Sequence, residues 1–178
     1  MLKKNYSQLH LLTIQVIDMK KLNFIIILIG IAILSRLIPH PPNFTPITAI
    51  ALFSTIHFKN KILTYLIPII GLFISDLILG LSMVNLFVYL SFIAITFIGF
   101  KFQKINNYSI LLSSTTFFIV SNFGVWILGY PKTIEGFILC YYMALPFFVY
   151  TIMGDLFYSY AMKYGLKYAL NKKIVIAD

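Results

Sequence analysis

Residues 36–46 read RLIPHPPNFTP and lie between two strongly apolar stretches. This proline segment contains Pro39, Pro41, Pro42 and Pro46, which remove backbone donors and exclude a regular helix. At membrane depth such backbone is tolerated only where protein covers it or where it lines an aqueous cavity. The proline segment is therefore predicted to be a structured loop over a site.

The composition around this segment is that of an integral membrane protein. Of the 178 residues, 60% are hydrophobic and 11% are charged, and the mean hydropathy is +0.92. Soluble domains have roughly 45–50% apolar and about 25% charged residues. We predict one membrane domain over residues 22–165, between a cytoplasmic segment 1–21 and a basic cytoplasmic tail 166–178. Met19, with two lysines before an apolar run, is a candidate for the true start.

Six apolar stretches are predicted to be transmembrane helices. The second is short for about 30 Å of hydrocarbon unless it begins inside the proline segment. The last apolar stretch, 134–162, is long for one span, so Pro146 is expected either to kink it or to divide it. The predicted spans are 22–38, 47–58, 62–81, 84–100, 109–128 and about 143–162.

Lysine and arginine are distributed unequally between alternate connecting segments. Twelve of the 14 basic residues fall on one side of the predicted membrane, which leaves only Arg36 and Lys132 on the other. The positive-inside rule then puts both termini in the cytoplasm and the proline segment outside. Lysine clusters separated by apolar spans do not form the continuous basic face of a nucleic-acid-binding protein. We predict an all-α bundle of six transmembrane helices in a bacterial inner membrane, with lipid and no nucleic acid as partner.

Polar side chains in or near the spans are the candidates for a site, because lipid makes them costly. The predicted substrate-binding residues lie toward the outer face: Arg36, His40, Asn43, Thr45, Asp76, Asn122, Trp126 and Tyr141. The alternatives without a binding role are an Arg36–Asp76 structural pair, a helix-bridging Asn122 and an interfacial Trp126. Asp155 is expected near the middle or in the inner half of the last span, away from this cluster. A gating or structural role is predicted for it, as for Pro39, Pro41, Pro42 and Pro146.

Signatures of common enzymes are absent from the sequence: there is no HExxH, no GxSxG and no glycine-rich phosphate loop. We therefore predict no enzymatic activity, no cofactor and no resident metal. The single cysteine, Cys140, excludes an internal disulfide and a cysteine-cluster metal site. A free cysteine usually serves as a small packing residue, but ligation of a metal-containing solute such as a corrinoid stays open.

Four motifs together resemble an uncharacterised bacterial family of multi-pass membrane proteins, over about residues 19–165. They are RxxPHPPNFTPxxA at 36–49, ISDL at 74–77, FFxxSNFGVW at 117–126 and CYxxAxPFF at 140–148. In its size, its six helices and a GxxxSDL pattern, here at 71–77, that family in turn resembles the substrate-binding S components of energy-coupling-factor vitamin transporters.

The resemblance to S components implies binding of a vitamin or precursor near the extracellular face. It implies that residues 36–45 form a lid above Asp76 and Asn122, and that the protein docks on a transmembrane subunit driven by two ATPases. The AxxxA docking surface of S components is absent, and Gly30-x-x-x-Leu34 is the nearest spacing. The predicted function is uptake of a small vitamin-like solute. The alternatives are a non-transport scaffold or assembly factor, and a solitary cobalamin-type transporter that uses Cys140.

Overall fold

The computed structural model describes residues 22–171, and over that range the chain forms six α-helices and no strand. Segment 1–21 with Met19, and residues 172–178 of the predicted tail, lie outside the described residues. The helices are α1 (Leu22–Leu37), α2 (Ile47–His57), α3 (Lys61–Leu79), α4 (Val84–Phe102), α5 (Asn107–Gly129) and α6 (Ile134–Asn171).

Four of the helices, α3 to α6, are long and apolar enough to cross a membrane. Large apolar side chains cover their outward faces, Ile78, Phe97 and Ile138 among them, as a helix surrounded by lipid tails requires. The protein is thus a multi-pass membrane protein. Helix α2 has 11 residues, which at about 1.5 Å per residue cover only about 17 Å of the roughly 30 Å of hydrocarbon.

The bounds of α2 to α5 lie close to those predicted from the apolar runs, whereas α6 differs. It is one helix of 38 residues that continues through Pro146, so the division of the chain at Pro146 is not found. A proline removes a single helical hydrogen bond. Ending the helix inside lipid would leave several backbone groups without partners, and this favours continuation.

Helix α2 lies at the centre of the bundle. Its residues 47–55 are all buried, and it contacts α3, α4, α5 and α6. A helix that is apolar all round its surface must be buried on all sides, and Ile50 and Leu52 of α2 join Ile67, Phe92 and Ile95 in the core. The N-terminus of α2 therefore begins inside the protein, directly after the proline segment.

The lysine-bearing connections gather at one end of the bundle, which we call the lysine-rich end. The Lys163 ammonium donates to the Ile105 carbonyl at 2.9 Å, which brings α6 beside the α4–α5 connection. The Phe24 and Phe58 rings are in contact, 6.1 Å between centroids, beside the α2–α3 connection. The proline segment lies at the opposite end.

Candidate functional site

The proline segment contains a tight turn at residues 41–44. The Phe44 amide donates to the Pro41 carbonyl at 3.0 Å, and Asn43 between them has a φ of 63°. Proline followed by a residue with positive φ is typical of a type II turn, and asparagine tolerates that position better than most residues. The sequence Pro-Pro-Asn therefore specifies this turn locally.

Helix α6 holds the proline segment against the bundle. The Phe44 ring stacks on Phe157, 6.0 Å between centroids, and meets Tyr158 edge-on at 5.4 Å. A Cβ added to Gly154 would lie 3.0 Å from the Phe44 Cα, so a glycine is needed for this close backbone approach. The contact brings the proline segment beside the middle of α6, where Asp155 follows Gly154.

Arg36, at the end of α1, is bound to α3. Its Nη1 lies 2.6 Å from Asp76 Oδ1, and it donates to the Ser75 hydroxyl at 2.7 Å and to the Leu72 carbonyl at 3.1 Å. The Tyr89 hydroxyl of α4 donates to the other Asp76 oxygen at 2.7 Å. The structural pair of Arg36 and Asp76, one of the alternatives considered from the sequence, is thus present. Tyr89 adds a third member to this hydrogen-bonded group.

A cavity of about 230 Å³ lies beneath the proline segment, and all six helices contribute to its wall. The volume is below the roughly 300–1,000 Å³ of pockets for drug-sized ligands, so it suits a small solute. Its polar lining comes from Arg36, His40, Asn43, Thr45, Thr48, Thr151 and Asp155, and its apolar lining from Ile47, Leu72, Leu79, Val88, Phe92 and Phe117.

A second cavity, of about 170 Å³, adjoins the first. The two cavities share Asn43, Val88, Phe117 and Thr151, and the second extends between α5 and α6. Asn122 and Ser121 supply polar groups there, and Phe118 and Phe148 form a stacked pair in its wall, 4.4 Å between centroids.

The structure brings together some of the predicted binding residues and separates others. Arg36, His40, Asn43 and Thr45 line the first cavity, Asn122 lines the second, and Asp76 lies behind Arg36. The two remaining predicted residues line neither cavity: Trp126 Nε1 donates to the Pro131 carbonyl at 3.1 Å, and the Tyr141 hydroxyl donates to the Ile119 carbonyl at 2.7 Å.

Cys140 also lies outside both cavity linings. It is buried, and its Sγ lies 3.6 Å from the Asn122 carbonyl oxygen. Within residues 22–171, no group of three or more His, Cys, Asp or Glu side chains is arranged to hold a metal ion.

Asp155 lies at the first cavity, not away from it as its position in the sequence had indicated. The reason is that the proline segment and the start of α2 enter the bundle, so the cavity reaches the middle of α6. The Ser114 hydroxyl donates to Asp155 Oδ2 at 2.6 Å, and Thr48 lines the same cavity.

Sequence reasoning missed Thr48, Tyr89, Ser114 and Thr151. Hydroxyl side chains are common in membrane helices because they can bond the carbonyl one turn earlier, so their presence alone does not indicate a site. Tyr89 could have been found, since a tyrosine within a span needs a partner for its hydroxyl.

The DUF6580 family, described as a family of unknown function, matches residues 18–176. The chain belongs to this family. The match agrees with the predicted resemblance to an uncharacterised membrane family. A search of the curated proteins and a search of the solved structures found no match to the chain, so the further resemblance of this DUF6580 protein to S components stays a prediction.

Proposed function

We propose that this DUF6580 protein binds a small solute in the cavity beneath the proline segment and serves its uptake across a bacterial cytoplasmic membrane. The observation that supports the proposal most is the cavity itself, which all six helices line and which four of the predicted binding residues border. In this proposal both termini are cytoplasmic, the proline segment faces outward, and α1 and α2 complete a six-span bundle.

The lining of the cavity divides into a polar and an apolar part. Leu72, Val88, Phe92 and Phe117 provide apolar surface for the body of the solute. Within residues 22–171, the hydrogen bonds of Arg36 all use Nη1, so Nε and Nη2 would be available to an acceptor on the solute. The solute should therefore be small and partly apolar, and it should carry polar groups.

Docking on an ATPase-driven transmembrane subunit is part of the S-component resemblance and stays a separate proposal. Helix α1 presents Ile27, Ile31 and Leu34 outward, and a Cβ added to Gly30 would meet nothing within 4 Å. Proteins that co-purify with the tagged chain from gently solubilised membranes would reveal such a partner.

The cobalamin alternative gains no support, because Cys140 lines neither cavity and a corrinoid is far larger than 230 Å³.

The scaffold alternative keeps one observation in its favour, the pairing of Arg36 with Asp76. A scaffold would be expected to pair its outer polar residues and to leave no cavity, whereas this protein has both the pair and the cavity. A decisive test must therefore report on what the cavity contains.

Native mass spectrometry of the gently purified protein provides this test. Val88 lines both cavities, so the single ring that Val88→Phe adds would fill space where the two cavities adjoin. Leu90 is 54% exposed on the same helix, and Leu90→Phe is the matched control, because it adds the ring on the lipid-facing side. We expect the wild type and Leu90→Phe to retain a small molecule of one mass and Val88→Phe to lose it.

Two results would contradict the proposal. One is a wild-type protein that carries no small molecule even when it is purified from cells grown in rich medium. The other is a retained molecule whose occupancy is the same in Val88→Phe, because that molecule would lie elsewhere. Once the mass identifies the solute, uptake of the labelled compound by cells with Asn122→Ala tests the second cavity.

A further inference from the structure

We infer that Asp155 binds a positively charged nitrogen of the solute, so that the substrate is a small organic molecule with an ammonium or amidinium group and an apolar body. This inference rests on the proposed function, because it names the chemistry of the solute in the same cavity. It stands on the burial of Asp155, its partners, and the charge of the cavity wall.

Among residues 22–171, Asp155 is a buried carboxylate with no cation partner. It is 2% exposed, and within residues 22–171 its carboxylate accepts a hydrogen bond from the Ser114 hydroxyl. Within residues 22–171, the ion pair in the structure joins Arg36 to Asp76, and Asp155 takes part in none. An ionised carboxylate away from water is unfavourable unless a positive charge lies beside it.

The charges around the cavity leave Asp155 uncompensated. Arg36 lines the cavity, but Asp76 neutralises its guanidinium at 2.6 Å. Ile47 and Thr48, at the start of α2, line the same cavity as Asp155, and the positive end of a helix dipole favours the ionised form of a carboxylate. The cavity therefore presents a carboxyl group that has no cation partner, and a positive charge that enters the cavity would favour its ionised form.

The rest of the wall suits an organic cation better than a metal ion. Calcium and magnesium need about six oxygen ligands with several carboxylates or waters, whereas Asp155 is the only carboxylate in this lining. Phe92 and Phe117 line the same space, and aromatic faces attract organic cations. A volume of about 230 Å³ also exceeds what a bare ion fills.

Three probes of similar size and different charge test this inference. They are 2-phenylethylamine, which is cationic at neutral pH, its neutral analogue 2-phenylethanol, and the anion 3-phenylpropanoate. Affinity for the purified full-length protein in detergent is measured by calorimetry at constant ionic strength. We expect the amine to bind at least about tenfold more tightly than the alcohol, because a charge-assisted hydrogen bond favours it, and the anion to bind weakest.

Asp155→Asn keeps the shape of the side chain and removes its charge. We expect the advantage of the amine over the alcohol to disappear in this variant, with the affinity for the alcohol within about threefold of wild type, and to return in Asp155→Glu. Equal binding of amine and alcohol by the wild type would overturn the inference, even if Asp155→Asn failed to fold. An amine advantage that persists in a folded Asp155→Asn would overturn it as well.

Two further measurements separate this inference from the proposed function. Val88→Phe should weaken the binding of amine and alcohol alike, because it fills the space and leaves the charge in place. If Val88→Phe removes the retained cellular solute while the wild type shows no amine preference, the proposed binding of a solute is supported and the cationic substrate class is overturned. Sodium chloride is tested as well. If it raises thermal stability as much as the amine does, and does so only when Asp155 is present, the site binds an inorganic cation and the inference is overturned.

Discussion

At the level of single residues, Asp76 and Asp155 share their burial and differ in their partners. Each is 2% exposed within a helix of the bundle. Asp76 is paired with the Arg36 guanidinium and accepts from the Tyr89 hydroxyl, whereas Asp155 accepts from the Ser114 hydroxyl and has no cation partner within residues 22–171. Removing one member of a buried ion pair leaves the other charge uncompensated. Removing a charge that has no partner leaves no uncompensated charge.

The two isosteric variants Asp76→Asn and Asp155→Asn should therefore differ in stability. Breaking a buried ion pair costs about 3–5 kcal/mol, and we expect about 2–3 kcal/mol for Asp76→Asn because the Arg36 side chain is 21% exposed. Asp155→Asn should change the free energy of unfolding by less than about 1 kcal/mol, since the amide oxygen can still accept from Ser114. Unfolding by detergent titration, followed by circular dichroism, measures both.

Tyr89→Phe provides the internal control for this comparison. It removes the hydroxyl that donates to Asp76 at 2.7 Å and keeps the ring, so its cost should be near that of one hydrogen bond to a charged group, about 1.5–3 kcal/mol. The double variant with Asp76→Asn should cost less than the two single costs added together, because both act on one network. Equal losses for Asp76→Asn and Asp155→Asn would show that the difference in partners has no energetic consequence.

At the level of elements, the proline segment and α6 form a unit through Gly154. The Phe44 backbone lies where a side chain at position 154 would extend, and the Phe44 ring packs on Phe157 and Tyr158. In a close-packed interior even one added methyl group forces neighbouring atoms to move. The position of the segment over the cavity therefore depends on the absence of a side chain at residue 154.

Gly154→Ala should lower stability and Gly165→Ala should not, although both replace a glycine of α6. Alanine favours a helix over glycine by up to about 1 kcal/mol, and a Cβ at Gly165 would meet nothing within 4 Å. Gly165→Ala should be neutral or stabilising. Gly154→Ala should be destabilising by about 1–3 kcal/mol, because its Cβ would lie 3.0 Å from the Phe44 Cα. Thermal unfolding of the two variants would contradict this if both gained stability.

The helices were predictable from the sequence to the extent that apolar runs define them. Helices α2 to α5 begin and end near polar or glycine positions that interrupt those runs, such as Asn60, whose side chain accepts from the Leu63 amide at 3.2 Å, and Gly80, with a φ of 110°. Of the two alternatives at Pro146, the division was wrong, because a proline can lie within a helix when lipid penalises a break. The outer part of the cavity followed from the proline segment and Arg36.

The inner part of the cavity could not be predicted, because it depends on how far the chain enters the bundle. Depth counted along a span placed Asp155 far from Arg36, and that count assumed that every connection stays at the surface. Helix α2 instead begins inside the protein, with Ile47 and Thr48 buried, so that residues from opposite halves of the bundle meet at one space. Such an entry leaves no periodic signal in the sequence.

At the level of the whole molecule, the bundle has two chemically different ends. The lysine-rich end carries the connections at 59–61 and 101–104 and the contact of Lys163 with Ile105. The opposite end carries the proline segment, Arg36 and the cavity beneath them. Because basic connections are retained in the cytoplasm, the direction in which the cavity opens follows from the orientation of the bundle.

Cysteine labelling from outside the cell tests that orientation. In a Cys140→Ser background, Leu81→Cys reports on the end with the cavity, since Leu81 is 61% exposed in the α3–α4 connection, and Lys104→Cys reports on the exposed α4–α5 connection at the lysine-rich end. A membrane-impermeant maleimide added to spheroplasts should label position 81 at once and position 104 only after permeabilisation, because 11 of the 13 basic residues left without Lys104 would still favour the predicted orientation. The reverse pattern would place the cavity opening toward the cytoplasm. Solute capture from outside would then be incompatible with the structure, while the predicted charge preference of Asp155 would be unaffected.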